Sequence, residues 1–135
     1  MDMTNKTNKT SLSAGLVVYR LLTSDEAVMN SVTKIFPVVT DEAILPYVAY
    51  RRSAWSGDLT KGGAAGTATV EVRCYAQSYA ESVDLAEKVR AALDYRSTDG
   101  SLDDGLRLRA CFLTNAEEFA EGDAYVQHLV FTLRI

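Results

Sequence analysis

The chain has 135 residues, 24% of them charged and 47% hydrophobic, and carries a formal net charge of −4 at pH 7. That length gives one domain with a core of its own. The acidic balance argues against a partner held by phosphate neutralisation, which needs an excess of Lys and Arg. No apolar run approaches the ~18 residues of a membrane-spanning helix.

The opening "MDMTNKTNKTS" lacks the apolar core of a secretory signal, so residues 1–11 are expected to be a flexible polar tail and 12–135 the folded domain. After it, "LSAGLVVYRLLTS" sets Leu12, Leu16, Tyr19 and Leu22 near helical spacing and predicts a helix over about 12–23. Thr23 and Glu26 read as a capping box that restarts a short helix through Ala27, Val28 and Val32, with "KIFP" as its end. "PYVAY" predicts a strand over 47–50, and the glycine-rich "AWSGDLTKGGAAG", 54–66, a long connection to the next one.

"TATVEVRCYA" alternates: Val70, Val72 and Cys74 share one side, Thr69, Glu71, Arg73 and Tyr75 the other. Ser78 and Glu81 form a second capping box, which makes Tyr79 the first helical residue. The helix that follows stripes Val83, Ala86, Val89 and Leu93 toward a core, flanked by Leu85 and Ala92. Asp84 and Lys88 form an acid-first pair on its solvent side. "RSTDGSLDDG" is turn material. "LRLRACFLTN" predicts a strand with Leu106, Leu108, Ala110 and Phe112 on one face and Arg107 and Arg109 on the other. After a turn at Gly122, the last strand has two largely apolar faces: Tyr125, Leu129, Phe131, Leu133 and Ile135 on one, Val126, His128, Val130 and Thr132 on the other. Such a strand is buried on both sides or keeps one side for a partner. The element order gives an α+β domain, a mostly antiparallel sheet of four to five strands with two or three helices on one face.

Catalytic and ligand-binding constellations do not assemble. The single histidine, His128, lies mid-strand with no sequence neighbour to orient it, so it reads as structural. Cys74 and Cys111 lack metal-ligand spacing and read as buried reduced thiols, the state expected in a reducing cytoplasm. Asp99, Ser101 and Asp103 alternate as in a calcium loop, but Asp104 stands where that loop needs glycine. "GDLTKGGAAGT" lacks the order of a phosphate-binding loop. The acids Glu117, Glu118, Glu121 and Asp123 sit where a turn is expected and read as solvated. No cofactor, no metal and no enzymatic activity are expected.

The strand-to-helix junction "VEVRCYAQSYAESVDLAEKVRAAL", with "IFP", "PYVAY" and a late "AYVQHLVFTLRI", resembles the tail-completion, or tail-terminator, proteins of long-tailed double-stranded DNA phages and prophages. The resemblance spans most of 12–135. It implies a structural virion protein at the head-proximal end of the tail, assembled in the host cytoplasm as a ring, usually a hexamer. Such a ring stops tube polymerisation and meets the head connector. The partners implied are copies of the chain itself, the tail-tube protein and the head–tail connector protein, with DNA passing through the lumen without specific binding. Val126, His128, Val130 and Thr132 are the expected subunit contacts. Trp55, Asp58, Leu59 and Lys61 mark the expected partner-contact loop. Two alternatives stay open: a head–tail connector or stopper subunit, and, from another class, a small cellular ligand-binding module.

Overall fold

The computed structural model describes residues 9–38, 43–57, 65–98 and 106–135. A 3-10 helix, Ser11–Ser13, leads into helix α1, Ala14–Thr23, and a single turn, α2, Glu26–Met29. Strands β1, Ile35–Pro37, β2, Tyr47–Gly57, and β3, Gly66–Ala76, precede helix α3, Tyr79–Leu93. Strands β4, Ala110–Glu121, and β5, Ala124–Arg134, close the chain. The five strands form one sheet in the order β1-β2-β3-β5-β4, parallel only between β1 and β2. This is the α+β architecture expected.

The helices pack on one face. Val48, Tyr50, Val70, Val72, Cys74, Leu129, Phe131 and Leu133 meet Val18 and Leu22 of α1 and Leu85, Val89, Ala92 and Leu93 of α3 in one core. The sides of β3 and β5 fall as their alternation predicts. Phe131, fully buried at the centre of β5, contributes roughly 1.5–3 kcal/mol of transfer free energy by itself. Helix α3 begins where its box predicts: Ser78 Oγ accepts from the Glu81 amide at 3.2 Å, and the Glu81 carboxylate accepts from the Gln77 amide at 3.0 Å. Asp84 and Lys88 pair at 2.9 Å.

Several local expectations are corrected. The cap of α2 is Asp25, whose carboxylate accepts from the Val28 amide at 3.0 Å. Thr23 turns its hydroxyl back to the Tyr19 carbonyl at 2.7 Å instead. "IFP" is a strand in its own right, held parallel to Val48–Tyr50; three residues are too short for a period to show. Strand β2 continues through Trp55 to Gly57 and β3 starts at Gly66, so both ends of the expected connection are hairpin arm. The buried stripe of α3 runs through Ser82, Leu85, Ala86, Val89, Ala92 and Leu93, while Val83 is half-buried and Tyr79 exposed. Between Leu108 and Cys111 the inward side shifts by one residue, so Cys111, not Ala110 or Phe112, faces the core. Glu117, Glu118 and Glu121 stand on β4 itself, which runs to Glu121, while Asp123 lies in the expected turn. The turn is at Gly122, whose φ of 58° suits a residue without Cβ. Within the stretch expected as a tail, Ser11 is buried and its Oγ accepts from Trp55 Nε1 at 2.6 Å.

Candidate assembly surfaces

Because the helices cover one side of the sheet, the residues that alternate with the core are left on the other. That open face has two zones. Toward the start of β2 and the end of β3, Ala49, Tyr75, Ala124 and Val126 form a small second cluster with Leu45, Tyr47 and Phe119. The Tyr47 and Tyr75 rings stack at 4.4 Å, and the Arg73 guanidinium lies over the Phe119 ring at 5.6 Å. One rung further along runs a charged ladder that crosses four strands. Arg51 of β2 meets Glu71 of β3 at 3.1 Å, Glu71 meets His128 Nε2 of β5 at 2.9 Å, and His128 Nδ1 meets Glu117 of β4 at 3.3 Å.

The ladder follows from pairing. Arg51 is opposite Glu71 in the β2–β3 register, and Arg73, two residues on, is opposite His128, itself opposite Glu117. Cross-strand and diagonal neighbours on one face are within reach of such side chains. Burial pushes the Glu71 carboxyl up, but the Ser53 hydroxyl, Arg51 and His128 outweigh it and hold Glu71 below its ordinary value of 4.5. The two imidazole nitrogens point to carboxylates on opposite sides, so the ring acts as a strut between strands. Sequence reading missed its partners because they lie on other strands, 57 and 11 positions away.

Of the four residues expected to make subunit contacts, Val126 is 0% exposed and His128 9%. Both are therefore occupied within this chain. Val130 and Thr132 are half-buried on the open face, where Thr132 lies 3.5 Å from the Thr114 hydroxyl. Trp55 lies in β2, tied to Ser11; Asp58, Leu59 and Lys61 fall outside the described residues.

A shallow hollow lies over the β4–β5 hairpin, lined by Tyr79, Glu118, Phe119, Tyr125 and Gln127. Its polar atoms answer one another: the Tyr79 hydroxyl donates to Glu118 at 3.2 Å, and Gln127 donates to Glu118 at 2.9 Å and to Ser82 at 3.3 Å. Among the described residues, no buried side-chain nitrogen or oxygen lacks a partner. Cys74 and Cys111 are buried free thiols; burial raises both, Cys111 to about 12 with Asp94 adding to the effect. Side chains that already satisfy one another are braces, and what they brace is a surface.

The family model described as tail completion protein gp17 matches residues 17–135. The chain belongs to that family. Its role is that of a structural protein of the phage tail. As a tail completion protein, it shares its fold with a chain of the native gene transfer agent (GTA) virion. That likeness has a TM-score of 0.66 and 22% identity, covering 87% of this chain and 90% of the other. It is similar also to the gp17 protein of bacteriophage SPP1, with a TM-score of 0.62 and 19% identity over 93% of this chain and 90% of that one. No curated protein sequence matches the chain.

Proposed function

We propose that this tail completion protein closes the head-proximal end of the phage tail tube as a ring of identical subunits, usually a hexamer. There it stops tube polymerisation and presents a surface to the head connector. The observation that carries the reading is the family match across 17–135. The braced open face, with Val130 and Thr132 accessible on it, fits a scaffold that meets other proteins. In this reading the partners are copies of the chain, the tail-tube protein and the head–tail connector protein. The work is non-enzymatic and needs no cofactor. Assembly takes place in the bacterial host cytoplasm, and DNA crosses the lumen without specific binding. The net charge of −4 keeps its hold on phosphates weak.

The test is tube growth. Tail-tube protein of the same phage is polymerised with and without this chain, and tube lengths are measured by negative-stain electron microscopy. Tubes that stop growing, with a ring at one end only, are expected. Tubes that lengthen equally in both samples would sink the proposal, and a ring found on isolated connectors but never on tubes would favour a connector or stopper subunit.

A further inference from the structure

The two outer edges of the sheet differ in charge and in shape. At one side β1 covers only Val48–Tyr50 of β2, and the chain leaves the sheet at Val38, a β-branched residue held at φ 60°. Among the described residues no strand pairs the outer edge of β2 from Arg51 to Gly57. Beside this edge is a groove between α1 and the sheet, lined by Leu12, Leu16, Pro37, Val38, Arg51 and Arg52. Leu12, Leu16 and Val38 are 51%, 53% and 62% exposed; Lys34 lies outside the groove, over the Phe36 ring at 5.2 Å. Among the described residues of this half, Asp25 and Glu26 belong to α2, which packs on α1 and α3, and Glu71 is tied to Arg51, which leaves Arg52 as the groove's basic residue.

At the opposite side β4 is the other edge. The segment after α3 covers its first part, where the Tyr95 amide donates to the Cys111 carbonyl and the Leu113 amide donates to Asp94. From Asn115 onward, no described strand lies outside it. This free stretch and its turn read "NAEEFAEGD", with Glu117, Glu118, Glu121 and Asp123 and no basic residue. Arg73 of β3 is laid over Phe119 on the open face. Tyr79 and Tyr125, in edge contact with each other, add an exposed aromatic patch on the helix side.

We propose that the seam between subunits is head to tail, the acidic β4 edge of one copy of this chain entering the basic α1–β2 edge groove of the next. This rests on the ring reading above and deepens it by naming the surfaces. The occupant is a second copy because the two edges complement each other: each has unpaired strand backbone among the described residues, Glu121 and Asp123 of one answer Arg52 of the other, and the rings of Tyr79 and Tyr125 answer Leu12, Leu16 and Val38. The two patches lie on opposite sides of one sheet, so the contact is heterologous and each subunit added leaves a fresh copy of both. Such a contact closes into a ring when its rotation allows. Opposite charge across the seam sets register and suppresses the wrong pairing, since two β4 edges or two grooves would face like charges.

A charge swap tests it. One variant carries Glu121→Lys with Asp123→Lys, the other Arg52→Glu, sites chosen to spare the Glu71–His128 ladder. Each is first shown to melt like the wild type, and self-association is then followed by sedimentation up to millimolar concentration. The wild type is expected to assemble and each variant alone to associate about tenfold more weakly or worse. An equimolar mixture of the two is expected to assemble again, because each reversed edge then meets a reversed groove. A variant that assembles as the wild type does, a folded pair that stays monomeric on mixing, or a wild type monomeric throughout would overturn the inference. Tube capping by such a variant would leave the ring reading standing while removing this seam from it.

Discussion

At the residue scale, stability is written in the Glu71–His128–Glu117 ladder and in the thiols. Glu71 serves Ser53, Arg51 and His128 together, and its folded value is depressed. A depressed carboxyl contributes stability that is present above its unfolded value and is lost as pH falls through the folded one. Glu71→Gln is therefore expected to lower stability at pH 7 by about 1–3 kcal/mol, the range for a charged group taken from its partners. The gap between wild type and variant should shrink in acid, once pH falls through the depressed folded value and wild-type Glu71 is itself protonated. Thermal melts at pH 7 and in acid decide this; a gap that widens in acid contradicts the assigned role. The cysteines give a second residue-scale outcome. Burial raises both thiols, so neither is expected to react with a disulfide reagent at pH 8 in the folded chain, while both react once denaturant is added. Fast labelling of Cys74 in the native protein would contradict its burial. His128 shows how far a sequence reaches at this scale. Its place on the outward side of β5 is legible from alternation, but the carboxylates on either side of it arrive through strand register.

At the element scale, caps separate what local pattern decides from what packing decides. Ser78 caps α3 and its replacement by Ala is expected to cost about 1 kcal/mol. For α2, sequence pattern favours Thr23 as the cap, yet the bond to the Val28 amide comes from Asp25. Asp25→Ala is therefore expected to lower the melting temperature more than Thr23→Ala, each read by circular dichroism; the reverse order would restore the box at Thr23. Long, strongly alternating elements such as β3 and β5, and a helix with a reciprocal cap, were legible because period and cap agree. Strand β1 was not, since three residues cannot display a period and their strand state comes from pairing with Val48–Tyr50. The second halves of β2 and β4 were not legible either. Both are largely exposed, with Phe119 alone of the second half of β4 packed on an apolar cluster, so no hydrophobic alternation marks them, and the hydrogen-bonding partner strand makes them extended. These unmarked stretches are the parts of the sheet left over for neighbours.

At the scale of the whole molecule, one sheet divides two duties between its faces, and adjacent residues of β5 separate them. Phe131 points into the helix-covered core and is fully buried; Thr132 points to the open face and is half-buried beside Thr114. Truncating Phe131 to Ala should cost about 3–5 kcal/mol through lost burial and the cavity left behind. That is a large share of the roughly 5–15 kcal/mol that holds a domain of this kind. The Phe131→Ala chain is thus expected to melt far below the wild type and to fail in tube capping because it is partly unfolded. Thr132→Lys removes one long hydroxyl contact and leaves the core intact, so its melting temperature should move by little. If the open face meets other proteins of the tail, the same Lys, standing where a flat contact is needed, should still release tube growth. Melting and tube length measured on both variants then separate folding from assembly. A Thr132→Lys chain that caps tubes as the wild type does would place the working surface elsewhere, at the sheet edges alone.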